Sequence, residues 1–302
     1  MQKSLVVDIG GTKLHAAIIN SNGEIEIDKK ISTKKNKGKD GLINSLFEII
    51  DELLMFENVP ILGVASAGRI DFAKGEVYYA TDNLPNWTGV KLKEILYHKY
   101  NKTVIIENDV NAAGLGEYWL GNSKSTKSSI CITLGTGVAG AIIIEDKLIR
   151  GHHWSAGEIG HMIIHPGGEN CNCGLNGCME QYCSGTSLVK SYNEKAKNKI
   201  SNGYEFFELI DKKDKVAYNV LNKFVDDLCL SIEMLSNTID PEVFILGGGL
   251  IDTKDYWWEN LISKLDKSPL TNIFKPKVLP AKLGNLAGLY GMAYLTLINN
   301  KM

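Results

Sequence analysis

The chain has almost no net charge: 33 Lys and Arg stand against 35 Asp and Glu in 302 residues, a formal −2 at pH 7. Such a balance offers no global basic field with which to hold nucleic acid. Cysteine is scarce, with six in the whole chain. No signal peptide is visible, because the first apolar run stops at Asp8. Without an export signal, disulfides are disfavoured and thiolate ligation of a metal is favoured. One long stretch without a charge, Ser128 to Ile144, is short for a membrane span and is broken by Gly135, Thr136 and Gly137, so it reads as a buried hairpin. The expectation is a cytoplasmic protein with neither a nucleic-acid nor a membrane partner. Low-complexity segments and obvious linkers are missing too. What is left is an ordinary globular composition, 44% hydrophobic and 23% charged, on a chain long enough for two domains.

What the sequence does contain is a repeated turn. Leu5-Val6-Val7 runs into Asp8-Ile9-Gly10-Gly11-Thr12-Lys13, and Ile130-Cys131-Ile132 runs into Leu134-Gly135-Thr136-Gly137. A second apolar run leaves each turn, Ala16 to Ile19 in one case and Ala141 to Ile144 in the other. Two copies of strand, Gly/Thr turn and strand predict two halves built alike. Each offers a loop of bare backbone N–H groups, in which glycine allows close approach and unusual dihedrals. Loops of this kind bind phosphate oxygens, which points to a nucleotide-using enzyme.

The remaining pattern is α/β. Leu5–Val7, Leu14–Ile19 and Ile25–Ile31 read as sequential strands, with Asn22-Gly23 turning between the last two. Lys34 to Asp40 reads as a solvated loop, and Gly41 to Met55 as a helix burying Leu42, Leu46, Ile49, Ile50 and Leu53. Further strands are expected at Ile61–Ala65, Val104–Ile106 and Val243–Leu246, and helices at Val110–Leu120, Val216–Asn237 and about Asn285–Ile298. Gly288 and Gly291 are the small contact points of the last helix. The Gly/Cys/His-rich region from Gly151 to Gly185 shows little periodicity.

Four constellations carry chemistry. Asp8, at a strand end beside the first turn, could hold magnesium directly or through water. Glu107-Asn108-Asp109-Val110-Asn111 lies at a strand-to-helix junction. Asn108 and Asp109 could simply cap that helix, or Asp109, kept anionic by the helix dipole, could take a proton from an attacking hydroxyl. Gly247-Gly248-Gly249 could let an adenine or ribose lie against the backbone, or merely turn the chain. Cys171, Cys173 and Cys178 are close enough in sequence to ligate zinc together with one imidazole, His161 or His165; spacing does not choose between them. Such a closed site would be structural, bracing a loop region with little core of its own. Glu158 and Glu180 flank the cluster. Cys131, Cys183 and Cys229 read as packing residues.

Assembled, these motifs resemble the ROK family (repressors, open reading frames and sugar kinases). The most specific pieces are Ala156-Gly157-Glu158-Ile159-Gly160-His161 with the three cysteines, and Glu107-Asn108-Asp109. The resemblance implies two ribonuclease-H-like α/β domains of the hexokinase/actin type with an ATP cleft between them. The expected domains are 1–118 and 119–285, with a C-terminal helix of about 286–302 packing back on the first. It implies an ATP-dependent sugar kinase, using magnesium and a structural zinc, with glucose or N-acetylmannosamine as substrate. Asp109 would be the general base. Asn108, Glu158, His161 and Glu180 would hold the sugar's other hydroxyls, with Gly68, Arg69 and Thr81 on the other side of the pocket. His161 rather than His165 would complete the zinc site. Gly10, Gly11, Thr12 and Lys13, then Gly135, Thr136 and Gly137, would be the phosphate loops, and Gly247 to Gly249 would face the adenosine. A homodimer is also implied.

One departure from the family pattern stands out. Ala139 and Ala141 interrupt a run of glycines after the second turn, so their methyl groups are expected to crowd the nucleotide. His152-His153-Trp154 is unusual as well, and is placed at the pocket rim. Two rival classes share parts of the pattern. The family's sugar-sensing repressors carry a helix-turn-helix domain before the first turn, for which a motif beginning at Asp8 leaves no room. An actin-like ATPase would share the paired turns, but has no need of Asn108-Asp109 or of zinc-braced carboxylates.

Overall fold

The computed structural model describes residues 2–34, 38–81 and 84–299. It divides into two compact units. One comprises Met1–Ser125, Leu148–Ala156 and Lys282–Met302, and the other Thr126–Lys147 and Gly157–Ala281.

The first unit opens with β1 (Lys3–Ile9), β2 (Lys13–Asn20) and β3 (Ile25–Ser32), an antiparallel meander of three strands. Its second turn is the expected one: Gly23 has φ +82° and donates to the Asn20 carbonyl. Helix α1 (Gly38–Phe56) follows, then β4 (Ile61–Ser66), the hairpin β5 (Arg69–Asp71) and β6 (Glu76–Tyr79), α2 (Leu92–Tyr100), β7 (Thr103–Asn108) and α3 (Asp109–Trp119). The first helix starts earlier than its apolar spacing announces. Asp40, expected in the loop, sits in the first turn, where a carboxylate suits the helix dipole. Residues 35–37 of the expected loop and 300–302 of the expected C-terminal helix lie outside the described residues. The sheet order is β3-β2-β1-β4-β7, with β1, β4 and β7 mutually parallel. β1 and β4 are buried on both faces over Leu5–Val7 and Ile61–Ala65, and those stretches carry no polar side chain.

The second unit repeats this plan. It is built from β8 (Ser129–Leu134), β9 (Val138–Ile144), β10 (Lys147–Leu148), α4 (Glu180–Cys183), α5 (Gly185–Lys195), α6 (Gly203–Asp211), α7 (Lys215–Ile239), β11 (Val243–Gly247), α8 (Trp258–Asp266) and β12 (Val278–Pro280). Its sheet order is β10-β9-β8-β11-β12, again an antiparallel hairpin extended by parallel strands. The duplication read from the two turns is therefore a duplication of topology, and that topology is ribonuclease-H-like. Between Gly151 and Gly185 the only helical pieces are a 3₁₀ turn at Ile159–His161 and α4, in keeping with the lack of periodicity.

The last described element is α9 (Ala287–Asn299), in the first unit. It lies against α3 closely enough that a Cβ at Gly291 would fall 1.7 Å from the Ala112 carbonyl oxygen. A Cβ at Gly288 would fall 2.9 Å from the Asp8 carboxylate. Both glycines are contact points, as their small size predicts. Buried Glu117 of α3 receives the N–H groups of Lys282 and Leu283 on Oε1 and that of Asn122 on Oε2. One carboxylate thus anchors the chain both where it leaves this unit and where it returns. Among the described residues no helix is long and apolar enough to cross a membrane.

Candidate active site

In the first unit, strand register decides which side chains meet. Ile9 pairs with Ser66 and Ser66 with Asn108 across β1, β4 and β7, so the Gly10–Thr12 turn, the Ala67-Gly68 turn and the start of α3 emerge together at the carboxyl edge. That edge is where ligands bind in open α/β sheets. Asn108 caps α3 by accepting the Asn111 N–H at 2.9 Å. Its amide donates to the Gly68 carbonyl at 2.9 Å and to Asp109 Oδ1 at 3.0 Å. The Val110 N–H reaches the same oxygen at 2.9 Å. Capping and orientation of the acid are therefore one arrangement, shared between the two residues.

Asp8 lies half-buried near Asp109. Burial, and then the negative charge of Asp109, push its carboxyl up to about 7. Two acids held this way favour a cation between or beside them, so the donor set fits magnesium. Gly68 has φ +101°, and a Cβ there would meet the Tyr79 carbonyl at 2.5 Å. Arg69 begins β5 opposite Tyr79, with its guanidinium carbon 5.6 Å from the centre of that ring. Thr81 is exposed, and its carbonyl accepts the Leu84 N–H. Lys13, the first residue of β2, is exposed at the end of the Gly10–Thr12 turn.

Of the two reasons anticipated for glycine in the turns, unusual dihedrals and room for close approach, the first is not seen. Gly10, Gly11, Gly135 and Gly137 are not among the glycines with positive φ, so no unusual dihedral is required of them. At Gly11 and Gly135 an added Cβ would meet open space, which leaves the backbone accessible. At Gly137 it would fall 2.3 Å from Glu180 Oε2, so a side chain is excluded by its neighbour. Gly248 is the position that does need glycine. It has φ +81°, and a Cβ would fall 2.4 Å from the Leu134 carbonyl oxygen, at the end of β8. Gly247 and Gly249 flank it at the carboxyl end of β11, beside the strand that carries the second turn.

In the second unit, His161, Cys171, Cys173 and Cys178 each bring one ligand atom within 4.8 Å of the others. His161 Nδ1 is 3.6 Å from Cys171 Sγ, and Cys173 Sγ is 3.6 Å from Cys178 Sγ. Tetrahedral zinc with Zn–S of about 2.3 Å and Zn–N of about 2.0 Å sets its ligands roughly 3.6–3.8 Å apart, so the donor set fits. Burial and the adjoining Cys173 and Cys171 thiols push the Cys178 thiol up to about 12, a proton that a bound cation displaces. His165 faces elsewhere: its Nε2 is 2.8 Å from Asp227 Oδ1 on α7. The fold thus makes the choice that spacing left open, and His161 is the imidazole at the thiols.

The other ring nitrogen of His161, Nε2, lies 3.8 Å from Glu158 Oε2. Glu180 directs Oε2 to the Val138 N–H at 2.9 Å, tying the metal loop to the exit of the second turn. The concern over added methyls shrinks at one of the two alanines. Ala141 is buried in β9 opposite Cys131 and does not face solvent, whereas Ala139 is partly exposed. Two participants escaped sequence reasoning. Glu107 carries no signal apart from its place in the Glu107-Asn108-Asp109 motif, and Arg150, its ion-pair partner, lies 43 residues away with no local signal. Trp154, three residues before Gly157, adopts φ +58°, an uncommon conformation for a bulky residue.

The ROK family model matches residues 4–298. A glucokinase from Streptomyces coelicolor is 32% identical over 315 aligned residues, covering 98% of each chain. The xylose repressor of Bacillus subtilis is 30% identical over 301 residues, covering 97% of this chain and 77% of the repressor. Among solved structures, a ROK family glucokinase from Streptomyces griseus in complex with glucose and AMPPNP matches with a TM-score of 0.80 at 30% identity, over 97% of this chain and 98% of that one.

Proposed function

Because this chain belongs to the ROK family, we propose that it is an ATP-dependent sugar kinase acting on the 6-hydroxyl of a hexose or N-acetylhexosamine. The observation that carries this reading is the Asn108–Asp109 pair, in which two N–H groups hold one carboxylate oxygen at a helix start on the carboxyl edge of the sheet. Asp109 accepts the hydroxyl proton as the sugar oxygen attacks the γ-phosphorus. The bond from phosphorus to the bridging oxygen breaks, and ADP leaves. Gly10, Gly11, Thr12 and Lys13, with Gly135, Thr136 and Gly137, bind phosphate oxygens, and Gly247 to Gly249 accept the adenosine. Asn108, Glu158, His161 and Glu180 bind the remaining sugar hydroxyls, together with Gly68, Arg69 and Thr81.

Asp8 would hold magnesium, directly or through water; the ion supplies positive charge that offsets the charge on the transferring phosphoryl group. His161, Cys171, Cys173 and Cys178 would hold zinc. Four protein ligands would make such a site structural, bracing the loop that carries Glu158 and Glu180. Glucose is the leading substrate. Arg69 favours N-acetylmannosamine, since a guanidinium donates to an amide carbonyl as well as to hydroxyls.

The test is ADP release from ATP over a sugar panel, with glucose, N-acetylmannosamine, N-acetylglucosamine and fructose compared by kcat/KM. Sugar-dependent ADP release is expected. ATP hydrolysis indifferent to sugar would place the chain with actin-like ATPases, and sequence-specific DNA binding would place it with the repressors.

A further inference from the structure

Glu107 is almost wholly buried, and the proposed chemistry makes no use of it. It stands in β7 one residue before Asn108, and both of its oxygens are engaged. Oε1 accepts the Asn108 N–H at 2.9 Å and the Asn111 side-chain amide at 3.1 Å. Oε2 accepts the Nε–H of Arg150 at 2.7 Å. The Arg150 guanidinium carbon also lies 3.8 Å from the centre of the Phe72 ring. Arg150 belongs to a short excursion of the chain: Leu148–Ala156 packs with the first unit, while the residues on either side belong to the second. A buried ion pair is a poor way to gain stability, because desolvation offsets most of its attraction. Its place directly before the proposed base asks for another explanation.

We propose that Arg150 is a positioning residue for phosphoryl transfer: through Glu107 it locks the Asn108 peptide and the first turn of α3, and so aims the Asp109 carboxylate. This inference rests on the reading of Asp109 as the base. The contacts form one continuous chain. Arg150 holds Glu107, and Glu107 holds the Asn108 N–H and the Asn111 amide. The Asn111 N–H closes on Asn108 Oδ1, and the Asn108 amide closes on Asp109 Oδ1 and the Gly68 carbonyl. A base displaced by about 1 Å costs on the order of a hundredfold in rate while leaving ground-state binding nearly intact. The planar guanidinium directs Nε–H at the carboxylate and lays its face on Phe72 at once, which an ammonium group cannot do.

The experiment compares Arg150→Met, Arg150→Lys and Asp109→Asn in steady-state turnover with MgATP and the sugar ranked first by the panel. Arg150→Met is expected to lose ten- to a hundredfold in kcat with the sugar KM within threefold of the parent, and Arg150→Lys to recover part of that loss. A kcat within threefold of the parent in Arg150→Met, or a loss confined to KM, overturns the proposal. Should Arg150→Met not fold, the double variant Glu107→Gln/Arg150→Met removes the uncompensated buried charge. It is expected to fold with at least a tenfold loss in kcat, and parental kcat in it overturns the proposal equally. Asp109→Asn separates the two ideas: near-parental turnover there sinks the base itself, whereas an inactive Asp109→Asn beside an unimpaired Arg150→Met sinks only the positioning role.

Discussion

The two units share a strand order but hold their loops by different means. In the first, helices back the carboxyl edge: α9 presses Gly291 onto the α3 backbone and Gly288 toward Asp8, and a Cβ at Gly116 would fall 2.1 Å from the Ala287 carbonyl oxygen. In the second, side chains do the holding. The stretch after Gly157 is drawn together by three thiols and an imidazole, by the His165–Asp227 pair and by Glu180 on the Val138 N–H. A duplicated sheet settles where loops emerge, and what stands behind them settles what they can present. Helix packing lets the first unit hold Asp8 and Asp109 near each other despite their repulsion. Clustered polar side chains let the second display Glu158, His161 and Glu180 from a segment with hardly any secondary structure.

That contrast can be broken first by taking away the metal. Chelation, or Cys178→Ser, should lower turnover sharply and strip hydrogen-exchange protection from residues 157–183 while α3 amides keep theirs, because the loop has little other core. Full activity in a demonstrably metal-free sample would refute the bracing role. The converse is Gly291→Ala, which forces a methyl into the Ala112 backbone. Denaturant unfolding should show a loss of about 1–3 kcal/mol with bound zinc unchanged; loss of zinc instead would mean that the units are not held independently.

An effect confined to one side chain runs the other way. The Asp8 carboxyl, raised from 3.8 to about 7, binds its proton more tightly in the folded state than in the unfolded chain. Stability is therefore lost as pH rises across that window. Asp8→Asn, without magnesium or nucleotide, should be more stable than the parent by on the order of 4 kcal/mol at pH 8. The gap should open between about pH 4 and pH 7 and stay level above, as read from melting curves. A gap that is independent of pH would contradict the account.

Much of this was legible before any coordinates. β1, β2, β4, β8 and β11 are apolar runs buried on both faces, and the repeated Gly/Thr turns announce the duplication. The shorter elements were not. α2 buries only Leu92 and Leu96, α6 spans nine residues, and β12 has three, too few for a period to stand out. Site residues close in sequence could be grouped by motif, as with Glu107-Asn108-Asp109. Spacing alone did not choose His161 over His165; the family resemblance did, and α7 gives the physical reason by placing Asp227 beside the latter. Arg150 was out of reach because its partner is distant in sequence and its own neighbours carry no pattern.

The central claim is that the carboxylate at the start of α3 takes the sugar's proton. Its most direct test is the turnover number of Asp109→Asn in a preparation whose sugar affinity and zinc content match the parent. The account predicts a kcat lower by between about 10² and 10⁴-fold. A kcat within threefold of the parent would contradict it.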